Sequence, residues 1–288
     1  MPTYTLLGRR VVRLPFIVET SLGHEITHQW FGNSVYVDYG SGNWSEGLTT
    51  YLSDHLYDAR KGEGAEYRKK IMIKYRSFVR GDNDLPLTEF YQRTGFDSAA
   101  VGYGKAAMVF HMLKNEIGEK AFSTGLRNLS RDFAFRRASW TDIRSVFEAA
   151  SDSQLEWFFH QWIEHAGVLE FSISRPQVVH LDNRYEISFR ITQQGDPYRF
   201  LLPVSFVTPE GIEKRVLRID GNSQELAIEL NHRPQEMVLD EEYDLMRSLS
   251  EAEAPPVIAS LLGAENRLAV LPPEEEEAER YESLTDIL

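Results

Sequence analysis

The chain has 288 residues, 42% hydrophobic and 26% charged, the makeup of an ordinary soluble protein with room for roughly two domains. Its net charge of −13 is concentrated between Glu251 and Leu288, and the absence of a basic stripe argues against a nucleic-acid partner. There is no cysteine, so disulfides and thiolate zinc sites are excluded and any zinc must be held by histidine and carboxylate.

Residues 3–14 read as a loop or strand remnant. Pro15 suits a first helical position, and the apolar pattern from Phe16 through Ile26 to Phe31 predicts one helix ending at Gly32-Asn33. Ser34 to Tyr39 reads as a short strand or extended turn, broken by Gly40 to Asn43. A second helix is expected from Trp44 to Ala59. Ala65 to Arg80 is a basic amphipathic helix with Ile71, Ile73, Tyr75 and Phe78 inward, its charges forming a solvated face. Further helices are predicted for Tyr103–Ile117, Glu119–Phe135, from Ser139 with a capping box to Asp142, and Leu155–His165. At Gly167 the period changes from about 3.6 to 2. Strands are expected at Leu169–Ser174, Tyr185–Thr192, Phe200–Val207, Lys214–Ile219, Glu225–Leu230 and Glu236–Leu239, the pattern of a small β-sandwich. The stretch from Ala252 to Pro256 reads as a linker, followed by an apolar segment at Val257–Leu262 and the acidic run Glu274–Glu277. The division is therefore 1–167, 168–248 and a linker, tail or further domain at 249–288. No apolar run reaches the roughly 18 residues of a membrane span, and no signal-peptide pattern opens the chain.

The chemistry is concentrated in His24-Glu25-Ile26-Thr27-His28. Four-residue spacing on a helix puts both imidazoles on one face, while Glu25 sits one step round, able to handle a proton but poorly placed as a ligand. A catalytic zinc takes three protein ligands and leaves a position for water, and Glu46 is the candidate third. Asp38 and Asp54 are the nearest rival acids. Taken alone, the motif also fits two ordinary helix-face histidines beside a solvated glutamate, and no other histidine pair repeats the spacing.

Neighbouring residues add a resemblance. Gly23 to Asn33 resembles the metal helix of the aminopeptidase N family of gluzincins, which includes leukotriene hydrolase. Trp44 to Tyr51 is similar to its second metal helix, Gly102 to Ala107 to its Tyr-x-Lys-Gly segment, and Trp140 to Phe147 with Leu155 to Trp162 to the end of its catalytic domain. The resemblance implies a multidomain α+β chain: a mainly helical, thermolysin-like catalytic domain followed by a β-sandwich. It implies one zinc ion on His24, His28 and Glu46, Glu25 as general base and proton donor, Tyr103 as donor to the developing oxyanion, and a peptide as substrate. Tyr103 also fits a packed tyrosine at a helix start.

Two departures qualify the likeness. Seventeen residues separate His28 from Glu46, one short of the family's usual spacing, and Ser45 stands where Asn is usual. A loop deletion between Gly40 and Asn43 would leave the second helix in register. The family's upstream Gly-x-Met-Glu-Asn segment, which holds the substrate amine, and its N-terminal β domain have no counterpart in this sequence. The expectation is that Met1 begins inside a longer protein, or that substrates are recognised differently. The motifs thus point to a zinc peptidase, with the aminopeptidase reading resting on resemblance. A non-catalytic binding module and a zinc hydrolase acting on another substrate, such as an epoxide, are the alternatives. Compartment, oligomeric state and side-chain preference are not encoded in these motifs.

Overall fold

The computed structural model describes residues 4, 5, 7–9, 11–15 and 17–264. Phe16 and the acidic run Glu274–Glu277 lie outside the described residues, as do Thr3, Leu6 and Arg10.

The expected first helix is shorter than its apolar pattern. Two 3-10 turns, Val11–Arg13 and Ile17–Glu19, lead into α1 (Ser21–Thr27). Beyond Thr27 the chain tightens, with Gln29 N–H donating to the Ile26 carbonyl and Trp30 N–H to that of Thr27. Gly32, at φ +120°, then turns the backbone out of the helix. The short strand β1 (Tyr36–Val37) pairs in parallel with β2 (Arg137–Ala138), a partner the sequence reading did not contain.

The second helix is continuous over its expected span but not uniform. It consists of α2 (Trp44–Thr50), a wide π turn (Tyr51–His55) and α3 (Leu56–Arg60). Asn43 caps its start, its Oδ1 accepting from Ser45 N–H at 3.2 Å, and Trp44 Nε1 donates to the Ala138 carbonyl at 2.7 Å. Helix α4 (Gly64–Phe78) buries Ile71, Met72 and Tyr75, while Ile73 and Phe78 are half-buried.

A third helix begins earlier than expected. It runs through α5 (Phe96–Ala99), a second π turn (Ala100–Lys105) and α6 (Ala106–Ile117), so Tyr103 sits in its middle. The glycines at 102 and 104 look like breakers in sequence, yet they serve close packing: a Cβ on Gly102 would lie 2.1 Å from Phe90 Cζ. Helices α7 (Glu119–Asp132), α8 (Trp140–Ser151) and α9 (Glu156–Ile163) follow. The Ser139–Asp142 capping box is present as predicted.

From Phe171 the chain is antiparallel sheet. One sheet comprises β3 (Phe171–Ile173), β4 (Gln177–Leu181), β5 (Arg184–Gln193) and β8 (Ser223–Leu230); the other has β7 (Gly211–Ile219), β6 (Phe200–Thr208) and β9 (Glu236–Leu239). Strand β4 escaped the sequence reading because it is an edge strand exposed at every position, so no apolar alternation marks it. Ile187, Phe189 and Ile191 of β5 and Leu202, Val204 and Phe206 of β6 join the apolar cluster that also contains the helical core. A short helix, α10 (Ile258–Leu262), packs on α4. Among the described residues, no helix is long and apolar enough to cross a membrane.

Candidate metal centre

His24 lies on α1, and His28 at its end keeps the helical register, donating its N–H to the His24 carbonyl at 3.1 Å. Their Nε2 atoms come within 3.2 Å of each other and each lies 3.2 Å from Glu46 Oε2. Three ligand-type atoms thus form a nearly equilateral triangle. In a tetrahedral zinc site with bonds of about 2.0 Å, ligand atoms sit about 3.3 Å apart, so the donor set fits that ion.

The outer nitrogens are held as well. His24 Nδ1 lies 2.9 Å from Asp54 Oδ2, and His28 Nδ1 lies 2.9 Å from the Phe31 carbonyl. With Nδ1–H donating outward, each ring presents Nε2 to the common point. The two rival acids are thereby accounted for. Asp54 stands behind His24, and Asp38 caps the 3-10 turn Tyr39–Ser41 by accepting from Gly40 N–H at 3.2 Å.

Charge is strongly organised here. Burial opposes ionisation of His24, but the carboxylates of Asp54 and Glu46 outweigh it and lift its pKa to about 9. Burial likewise works against the Glu46 carboxylate, but hydrogen bonds to His24 and His28 hold it down at about 2.

The loop before Glu46 is tightly held. Gly42 adopts φ +98°, where a Cβ would fall 2.2 Å from the Leu87 carbonyl oxygen, so the turn is pressed directly against the Leu87 backbone. Ser45, where the family has Asn, donates its hydroxyl to Asn43 Oδ1 at 2.7 Å. Immediately after Glu46, Gly47 brings α2 onto α6: a Cβ there would lie 2.2 Å from Ala106 Cβ.

That contact also sets Tyr103 beside the triangle. Its ring stacks on His24 at 6.0 Å between centroids and meets Phe90 edge-on. Burial, then the negative charge of Glu46, raise the phenol pKa above its ordinary value, so the hydroxyl keeps its proton at neutral pH. Glu25 is half-buried on α1. Beside Tyr103 opens a cleft of about 470 Å³ with Ile71, Phe78 and Ala100 in its walls and Lys74 and Arg93 among its charged residues. All five residues singled out in the sequence therefore lie on three packed helices. Asp54 was weighed only as a rival ligand, and Phe90 and Gly47 were given no role in the site, because what each does there depends on contacts between segments far apart in sequence.

The chain matches the model of the Peptidase family M1 domain over residues 17–162, about half its length. It is 22% identical over 220 residues to Aminopeptidase 2, mitochondrial, of Saccharomyces cerevisiae, covering 72% of this chain and 22% of that protein. It is 27% identical over 219 residues to Membrane alanyl aminopeptidase of Heliothis virescens, covering 67% of this chain and 21% of that protein. In structure it resembles Legionella pneumophila aminopeptidase A, crystallised with aspartic acid, at a TM-score of 0.56 and 20% identity, covering 86% of this chain and 28% of the other. The chain thus spans less than a third of the length of each of these three. With the family's domain matched across the helices that carry the histidine pair, Glu46 and Tyr103, the chain belongs to peptidase family M1.

Proposed function

We propose that this chain carries a single-zinc site that hydrolyses peptide bonds, acting as an aminopeptidase, with His24, His28 and Glu46 as the ligands. The observation that carries the proposal is the triangle of donor atoms 3.2 Å apart, its two imidazoles oriented from behind by Asp54 and the Phe31 carbonyl. Bound zinc would supply Lewis acidity, lowering the pKa of a water toward neutrality and polarising the scissile carbonyl.

The remaining work falls to the chain. Glu25 takes the proton from the attacking water and delivers it to the leaving amine, a task for a carboxylate one helical step from the ligands. Tyr103, kept protonated by burial and by Glu46, donates its hydroxyl hydrogen to the developing oxyanion. The cleft beside Tyr103 offers space for part of the peptide. We assign residues 1–167 to the catalytic domain, 168–248 to the β domain and 249–288 to a linker or tail.

The test is Glu25→Gln. Zinc content by atomic absorption should equal that of the wild type, while hydrolysis of aminoacyl anilides falls by about 10²–10⁴-fold. A variant that keeps both its zinc and its rate would remove Glu25 as the base.

A further inference from the structure

A second cavity, of about 370 Å³, lies between α9, α6, the β6–β7 hairpin and residues 241–245. Neither the histidine pair nor Glu25, Glu46 or Tyr103 contributes to its walls. Its apolar lining includes Trp157, Phe158, Trp162 and Phe200.

The charged residues in that wall are nearly all answered. Glu116 pairs with Arg218 at 2.8 Å, and Arg215 with Glu213 at 2.9 Å. Asp244 accepts from His111 at 2.8 Å and Arg68 at 3.2 Å, while Glu241 accepts from Ser205 Oγ at 3.0 Å and faces Lys214 at 4.0 Å. Glu242 is exposed to water. Arg199 differs. Its side chain is half-buried, and its guanidinium sits over the Trp157 ring at 4.4 Å from the centroid. Its Nε is buried without an acceptor, and no carboxylate among the described residues pairs with it. The backbone at this position is not slack: Gln161 donates to the Arg199 carbonyl at 2.7 Å and accepts from its N–H at 3.0 Å. A clamped cation with a buried, unmatched donor costs stability unless an acceptor arrives.

We propose that this cavity binds a compact aromatic carboxylate, its ring among Trp157, Phe158, Trp162 and Phe200 and its carboxylate on the Arg199 guanidinium. An arginine stacked on an aromatic face still presents its N–H edge, which matches a carboxylate in a forked pair. One unmatched positive charge calls for a monoanion; a phosphate dianion would bring a second negative charge to a wall whose other cations, Lys214 and Arg215, already face Glu241 and Glu213. The volume is in the range of small-ligand sites and suits a one- or two-ring compound. Because the walls come from both the helices and the sheet, the ligand would strengthen the docking of one on the other.

The test uses the whole chain, with phenylacetate and indole-3-acetate as probes and phenylacetamide and inorganic phosphate as controls. Binding is read by calorimetry, quenching of tryptophan fluorescence and the thermal midpoint, none of which depends on hydrolysis or zinc. Both carboxylates should bind at least about ten-fold more tightly than the amide, raise the midpoint saturably, and weaken by a similar factor in Arg199→Gln. Equal binding of acid and amide, competition by phosphate, or no binding up to about 10 mM would each overturn the proposal. So would a folded Arg199→Gln that binds the acids as the wild type does. The acid-against-amide comparison needs no variant and stands if Arg199→Gln fails to fold.

Discussion

At the scale of single residues, Asp54 holds the outer nitrogen of His24 at 2.9 Å and so decides which nitrogen faces Glu46. Partners of this kind are worth about 10–100-fold in metal affinity, and Asp54→Asn should weaken zinc binding by that factor in a chelator competition. An unchanged affinity would mean that α1 alone orients the ring. In the proposed mechanism Tyr103 makes a different contribution, expressed only as charge develops on the substrate. Tyr103→Phe should lower kcat by about 10²–10³-fold with KM little changed, measured on an aminoacyl anilide. A matching rise in KM would assign the phenol to substrate binding instead.

At the scale of elements, the site depends on how closely α2 approaches α6. Gly47 permits that approach, and Gly47→Ala would drive a methyl to 2.2 Å from Ala106 Cβ. Helices packed this tightly yield only by separating, so the variant should lose about 1–3 kcal/mol in urea unfolding and bind zinc more weakly because Glu46 is the adjacent residue. Retained stability and affinity would show that α2 can shift without disturbing its ligand. The helix period was readable through the first π turn, Tyr51–His55, but not into the second, where the expected helix began only at Tyr103 although the chain is helical from Phe96. What the period does not reveal is the widening itself at Tyr51–His55 and Ala100–Lys105. Lys105 marks the second of these turns: fully buried, it donates Nζ to the His165 carbonyl at 2.9 Å, on the opposite side of the helix from Tyr103. Burial lowers its pKa to about 8.

At the scale of the whole molecule, buried polar groups join the helices to the segment that follows β9. Arg68 on α4 donates to the carbonyls of Glu242 and Tyr243 and pairs with Asp244, which also receives His111 of α6. His55 accepts from Arg68 Nη1 at 2.8 Å, which requires a neutral ring. Burial, then the positive charges of His111, Arg68 and Lys114, hold its pKa down at about 3, against the partial support of Asp244. The folded-state value lies below the unfolded one, so protons bind the unfolded chain preferentially between them. The contribution of His55 to stability should therefore be level above pH 6.5 and fall on acidification toward 3, by roughly 1.4 kcal/mol per pH unit. Urea unfolding between pH 7 and 5 should show that slope, and His55→Asn, which retains an acceptor for Arg68, should flatten it. An identical slope in the variant would place the acid sensitivity elsewhere.

The meeting of His24 and His28 was legible in sequence because four-residue spacing on a helix fixes a shared face whatever surrounds it. The strands from Tyr185 onward were legible because one buried face imposes a period of two, and β4 was missed because it buries neither. The third corner of the triangle is a different matter. Glu46 could be named as a candidate from its neighbours, but Asp38 and Asp54 stood close in sequence and carried the same chemistry. Only the packing separates them: Gly42 against the Leu87 backbone, Gly47 against Ala106, and Asp54 turned to the back of His24. Local periodicity is a property of the chain itself. Which carboxylate arrives at a given point depends on contacts between segments far apart in sequence, and those exist only once the helices have packed.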